Sequence, residues 1–224
     1  MILSLANLNL SKAVIIHVGI NSSHGALGPL FRDGSFKYIP LPEGSPSVKS
    51  WTYSGLGCSK WLPVDWPYKY AHYDPEFMTC TWGDRTGIRT HWARKLVPGD
   101  FVFFLSSLQH KYGIRPSWSY CIIGYFQLDG LPKKISYPIP PRIARLYSNN
   151  AHFIRKGRRG ESFILFEGGK NSRLLDRAVV LSQRSRPNDL ALKLIPKPHP
   201  KNPRWWQSVV NPRGVRTLLE EIGQ

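Results

Sequence analysis

Ala13-Val-Ile-Ile-His-Val-Gly-Ile20 is the stretch on which the fold turns. β-Branched side chains are stiff at χ1 and suit a pleated surface, so this run predicts a strand. It is apolar almost throughout, which places that strand in the buried middle of a sheet. The chain leaves it through a polar, glycine-rich loop, Asn21-Ser-Ser-His-Gly-Ala-Leu-Gly28. Working outward, Phe36-Lys-Tyr-Ile-Pro-Leu41 alternates as a second strand. Pro98-Gly-Asp100 is a turn signal feeding Phe101-Val-Phe-Phe-Leu105, and Tyr120-Cys-Ile-Ile-Gly-Tyr-Phe126 follows as another strand. Ser162-Phe-Ile-Leu-Phe166 adds one more. Two segments carry helix signals. Asn171 to Val179 begins with Asn171 or Ser172 as N-cap, and Asn211 to Gly223 has an Asn cap, Pro at its first position and Gly at its end. The expected fold class is α+β: a mixed, mostly antiparallel, curled sheet with a few peripheral helices.

The chain has 224 residues and is 42% hydrophobic, enough to bury a sizeable core and too much for global disorder. Its charge is one-sided: 31 Lys and Arg stand against 14 Asp and Glu, a formal +17. Thermophilic surfaces add acids along with bases, so a lopsided excess points to a polyanionic partner instead. The excess is also uneven. Between Leu131 and Gly160 stand Lys133, Lys134, Arg142, Arg145, Arg155, Lys156, Arg158 and Arg159 and no acid. Lys170 to Arg204 carries nine further cations against Asp176 and Asp189. That asymmetry is the sequence footprint of a phosphate-gripping surface.

Cys58, Cys80 and Cys121 form no C-x-x-C pair, which excludes a zinc ribbon and argues against a disulfide framework. Buried free thiols in a reducing cytoplasm are the expectation. No run is long and apolar enough for a bilayer, and Met1 to Leu10 makes a poor signal peptide, so a membrane is not an expected partner. Signatures of zinc proteases, zinc deaminases and α/β-hydrolases are missing, and no cofactor or metal is expected from sequence.

Four segments carry binding chemistry. The Asn21–Gly28 loop puts donors at the lip of a sheet, where ligands collect, although such side chains also satisfy their own backbone. Thr81-Trp-Gly-Asp-Arg-Thr-Gly-Ile-Arg-Thr-His-Trp-Ala-Arg94 combines indoles that stack on bases with guanidiniums that hold phosphates. The plainer reading is a surface turn in which Asp84 pairs with Arg85 or Arg89. Trp51, Tyr53, Trp61, Trp66, Tyr68, Tyr70 and Tyr73 crowd one long loop, mostly as anchors. Glu167-Gly-Gly-Lys-Asn-Ser-Arg173 is a glycine turn leading into the expected helix, where amides would cradle phosphate. It is not a Walker loop, because Ile164 stands in place of the first Gly.

Two resemblances extend this reading. Val97-Pro-Gly-Asp-Phe-Val-Phe-Phe-Leu-Ser-Ser107 followed by Cys121-Ile-Ile-Gly-Tyr-Phe126 resembles the strand pattern of PUA-like β-barrels, which include ASCH, EVE and YTH modules. It covers about thirty residues. Val18-Gly-Ile-Asn-Ser-Ser-His-Gly25, Gly28-Pro-Leu-Phe-Arg-Asp-Gly-Ser-Phe-Lys-Tyr-Ile-Pro-Leu-Pro-Glu43 and Gly168-Gly-Lys-Asn-Ser-Arg-Leu-Leu-Asp-Arg-Ala178 together resemble the third family of nucleotide modification associated domains. That likeness spans most of the chain and implies association with systems that modify DNA bases. The PUA likeness implies a curled sheet closing into a barrel, and a module that holds a base without transforming it. The expected organisation is a tail or added strand over 1–12, then one elaborated domain over 13–224. Its first part, 13–130, holds the barrel and the aromatic loop; its second, 131–224, is basic.

The leading expectation is a nucleic-acid-binding protein, DNA favoured over RNA, that reads a modified or flipped base. Asn21, Ser22, His24, Trp82 and Asp84 would read the base. Arg85, Arg89, Arg94, Arg155, Lys156, Arg158, Arg159, Lys170 and Arg173 would hold phosphates. The alternatives are an enzyme of nucleobase modification, with His24, Asp84 or His91 as acid–base groups, and a structural component bound to ribosomal or transfer RNA.

Overall fold

A computed structural model describes residues 11–44, 50–66, 69–85, 88–195 and 209–223. The fold is α+β, built on mostly antiparallel mixed sheets with few helices. Its largest sheet is six-stranded. The predicted central strand, β1 (Ala13–His17), runs parallel to β7 (Phe101–His110) from Ala13 opposite Phe101 to His17 opposite Leu105. β7 pairs antiparallel with β8 (Trp118–Gln127), and β8 pairs antiparallel with β11 (Arg173–Val180). On the other side β1 meets β14 (Val209–Val210), and β2 (Gly28–Leu30) pairs parallel with the far end of β7. The Pro98-Gly-Asp100 turn acts through its last residue. Asp100 Oδ1 accepts from Lys12 N at 2.8 Å and Oδ2 from Val97 N at 2.9 Å, tying the entries of β1 and β7 together.

β7 is apolar along most of its length because both faces of the sheet are covered. Phe101, Phe103 and Leu105 face one core with Ala191 and Leu194 of α4 (Asp189–Leu194) and Val215, Leu218 and Leu219 of α5 (Pro212–Glu221). The predicted cap of that last helix is in place: the Asn211 side chain accepts from Gly214 N at 2.9 Å, and Pro212 opens the first turn. Val102, Phe104 and Leu108 face a second core shared with Trp82, Ile164 and Phe166. Those three belong to a smaller antiparallel sheet, in which β10 (Ser162–Glu167) lies between β6 (Thr81–Arg85) and β9 (Lys133–Ser136). Alternation along β10 turns Phe163 and Leu165 the other way, into a cluster with Tyr137 and Phe153. Over that cluster lie α2 (Pro141–Leu146) and α3 (Ala151–Ile154).

The aromatic loop folds on its own side chains. It forms a three-stranded sheet in which β5 (Tyr70–His72) lies between β3 (Leu41–Pro42) and β4 (Trp51–Thr52). Tyr53 is fully buried and donates its hydroxyl to Pro40 O at 3.0 Å, and Trp66 tilts against it. Trp61 packs edge-on to Phe31, and Trp51 donates Nε1–H to Asn149 O at 3.3 Å. Tyr68 lies outside the described residues.

Three sequence expectations need correction. Asn171–Val179 is not a helix: residues 173–180 are strand β11, which extends the main sheet beside β8. Ser172 caps nothing and accepts from Gln127 N at 3.0 Å. Pairing with β8 overrides the local helix signal. Phe36–Leu41 is not one strand either. Phe36 bridges to Leu30, and regular pairing resumes only at Leu41, because Pro40 and Pro42 have no N–H to donate. Finally, among the described residues the sheets close into no barrel. The largest one ends on β11 and β14, and helices and the second sheet cover its faces instead. Residues 1–10 of the expected tail lie outside the described residues.

Phe104 sits between the two sheets against Phe77, Trp82 and Phe126, with no exposed surface. Phe104→Ala is expected to cost about 3–5 kcal/mol in urea-induced unfolding, as for other large buried aromatics. Ile114→Ala, at a fully exposed position, should stay within about 0.5 kcal/mol of the parent chain.

Candidate functional site

β5 ends at His72 and the chain continues extended through Tyr73 to Asp74. Residues two apart on an extended chain point the same way, so the His72 imidazole and the Asp74 carboxylate share one side. Glu43, just past β3, comes alongside because β3 is the neighbour of β5. Its carboxylate lies 2.7 Å from His72 Nδ1, and both side chains are largely shielded from solvent. A carboxylate can only accept, so the proton is assigned to Nδ1 and the lone pair to Nε2.

His152 arrives from the opposite side, on the first turn of α3. Asn150 caps that turn and organises the junction through one amide. Its oxygen accepts from His152 N at 2.9 Å, while its Nδ2 donates to Asp74 Oδ1 at 2.7 Å and to Thr81 Oγ1 at 3.1 Å. Asp74 Oδ1 also accepts from Gly83 N of β6 at 2.9 Å. The turn from Asp74 to Thr81 is fixed by a second buried carboxylate. Glu76 accepts from the N–H groups of Met78, Thr79 and Thr81 and from both threonine hydroxyls. The His152 ring lies flat over β6 and stacks on Phe163 with centroids 4.7 Å apart. Only glycine permits this at position 83, because a Cβ there would stand 2.6 Å from His152 Cδ2.

These side chains converge. His72 Nε2 is 3.3 Å from His152 Nε2, which is 3.5 Å from Asp74 Oδ2, and the two rings meet edge to face. Burial pushes the Asp74 carboxyl up to about 7, against the pull of His72, the Gly83 N–H and the Asn150 amide. Burial, and then the nearby Arg155, lowers His152 to about 4, so its ring is neutral at neutral pH. Its Nδ1 is buried and has no hydrogen-bond partner.

The cluster forms one wall of a cleft of about 360 Å³, also lined by Ile16 to Gly19, Leu41 to Gly44 and Trp82 to Arg85. At the rim, Arg85 and Arg155 share one carboxylate. Glu161 Oε1 lies 3.2 Å from Arg85 Nη2 and 2.9 Å from Arg155 Nη2, and Arg155 Nε donates to Tyr137 Oη at 3.1 Å. The volume suits a small-molecule-sized group, and strongly shifted acid–base groups in a cleft mark functional sites.

Of the sequence-predicted residues, the structure brings Trp82, Asp84, Arg85 and Arg155 together in this cleft. Trp82 is buried and stacks on Phe166 with centroids 4.5 Å apart, so that ring face is covered. Asn21, Ser22 and His24 are not among the cleft residues. They form a short 3-10 turn in which Asn21 Oδ1 accepts from Ser23 N and Ser23 Oγ, with His24 Nδ1 at 3.1 Å. His91 is exposed at the edge of Trp92, on α1 (Ile88–Ala93), and Arg94 is exposed just beyond it. The Arg89 side chain lies outside the described residues. Lys156, Arg158 and Arg159 are exposed on the segment that leaves the cleft at Arg155. Lys170 and Arg173 sit on the β10–β11 connection, which opens no helix. Its Gly168 and Gly169 amides are spent on Cys80 O and Gln127 O, so the phosphate cradle predicted there does not form.

His72, Asp74 and His152 went unremarked in the sequence. His72-Tyr-Asp74 at the end of an apolar-flanked run was the one available signal, since that spacing puts both groups on one side of a strand. Nothing local announces His152, eighty positions away.

The chain was compared with known proteins. The model of a family described as nucleotide modification associated domain 3 matches residues 12–218. No curated protein and no solved structure matches the chain.

Gly83→Ala is expected to push the His152 ring off β6, shifting its ring NMR signals and costing about 1–3 kcal/mol in urea unfolding. Gly130→Ala, where a Cβ meets nothing within 4 Å, should leave both readouts unchanged. Equal responses from the two variants would show that the ring is not held against β6.

Proposed function

The chain belongs to the nucleotide modification associated domain 3 family, and on that footing we propose that it is an enzyme acting on one nucleotide of a nucleic acid strand. The nucleotide enters the cleft, where the His72–Asp74–His152 cluster acts on its base or sugar. Cations at and beyond the rim hold the flanking phosphates. The observation that carries this reading is the segment from Arg155 to Glu161. It begins in the cleft wall, is pinned to Arg85 through Glu161, and carries Lys156, Arg158 and Arg159 outward into solvent. A strand lying along it would deliver a nucleotide to the cluster.

The composition of the cleft favours chemistry over passive reading. Readers of unpaired bases offer open aromatic faces. Among the described cleft residues the one indole, Trp82, is packed on Phe166, whereas three histidines and three carboxylates line the walls. Buried acid–base groups at that density suit proton transfer during modification of a nucleotide. The one-sided charge of the chain supports DNA or RNA over a free nucleotide, because a lone nucleotide has no use for cations so far beyond the rim.

Binding of a single-stranded oligonucleotide, followed across a salt series, should weaken linearly on a log–log scale. Arg158→Ala with Arg159→Ala is expected to reduce the magnitude of that slope by about 2, one unit for each lost phosphate contact. His72→Ala should leave the slope alone and abolish the new nucleoside seen by mass spectrometry after incubation. A slope untouched by the double substitution would remove the phosphate track from the proposal. A product that persists in His72→Ala would remove the cluster.

A further inference from the structure

We propose that His72 Nε2, His152 Nε2 and Asp74 Oδ2 are the three protein ligands of a zinc-type divalent metal site whose fourth position opens to the cleft. Tetrahedral zinc at a Zn–N distance of about 2.0–2.1 Å sets its ligand atoms about 3.3–3.4 Å apart. The structure separates the two imidazole nitrogens by 3.3 Å and His152 Nε2 from Asp74 Oδ2 by 3.5 Å, with all three atoms within 4.8 Å of one another. As hydrogen bonds these contacts are poor, the second lying at the limit of a useful N–H···O distance. As edges of a coordination shell they are the right length.

The donor chemistry agrees. Two imidazoles and a carboxylate form a borderline nitrogen–oxygen set of the kind that holds zinc, and not the oxygen-rich set that magnesium or calcium takes. The atoms behind the ligands are arranged as such a site requires. Glu43 takes the His72 Nδ1 proton, which leaves Nε2 as the donor. Gly83 N–H and the Asn150 amide both hold Asp74 through Oδ1, which turns Oδ2 toward the imidazoles. Asp84 and Arg85 stand across the cleft from the cluster, so a water or a substrate oxygen has access to the fourth position.

The test is a calorimetric titration of Zn²⁺ into the tag-free, full-length chain after dialysis against a chelator, without nucleic acid. Its outcome is therefore separate from the oligonucleotide experiment. The expected result is one Zn²⁺ per chain, no competition from excess Mg²⁺, and the visible absorption of a tetrahedral centre when Co²⁺ is used instead. His72→Gln and Asp74→Asn should each weaken uptake at least tenfold, and His24→Ala should not. Glu43→Gln touches no ion, so it should keep the parent melting temperature and lose about 10- to 100-fold in affinity. If the buried Asp74→Asn variant does not fold, His72→Gln and Glu43→Gln decide. No zinc uptake, equal uptake by His72→Gln, or full displacement by Mg²⁺ would overturn the proposal.

Discussion

A carboxylate taken out of water must be held by donors or it will not stay ionised, and Asp74 is held where three sheets meet. It follows the last residue of β5, it accepts from Gly83 in β6, and through Asn150 it is joined to the turn that begins α3. Tyr38, in the chain entering β3, donates its hydroxyl to Asp74 O at 3.1 Å. These bonds leave Asp74 one direction in which to present its second oxygen, toward His72 and His152. Remove the carboxylate and the aromatic-loop sheet, the β6–β10–β9 sheet and α3 lose their common partner. Cleft geometry and local fold therefore rest on the same group.

The main sheet supplies the rigidity behind this junction. Phe104 and Phe126 from β7 and β8 carry Trp82 and Phe166 of the smaller sheet, so β6 is stacked against a core buried on both sides. Gly83 and Asp84 project from that strand into the cleft with little freedom to move. The basic segment starting at Arg155 hangs from the same edge through Glu161. Precise chemistry on a stiff strand beside an exposed cationic track is a sensible division for a protein that acts on one unit of a long polyanion.

Much of the scaffold could be read from the chain, and the reasons differ by element. β1, β7, β8 and β10 are apolar β-branched or aromatic runs bounded by turn residues, and α5 carries Asn211-Pro212 at its start, so local chemistry and final structure agree there. Residues 173–180 misled because Asn171-Ser172 followed by Leu-Leu looks like a capped helix, while the deciding partner, β8, lies fifty positions back. The cleft was half legible. Trp82, Asp84, Arg85 and Arg155 drew attention by residue type, and all four line it. His72 and His152 did not, because what joins them is a buried amide at Asn150 and a missing side chain at Gly83, neither of which has a sequence signature. The Asn21–Gly28 loop drew attention for its donors, and the structure shows those donors bonded to one another.

The account stands on one claim, that the His72–Asp74–His152 cluster is where a bound nucleotide is met. Ring-selective ¹H–¹⁵N NMR of the histidines, recorded while a short oligonucleotide is added to the full chain, tests it most directly. The account predicts that the imidazole signals of His72 and His152 move on binding while those of His24 and His110 stay in place. Shifts confined to His24 or His110, with His72 and His152 unmoved at saturation, would contradict it.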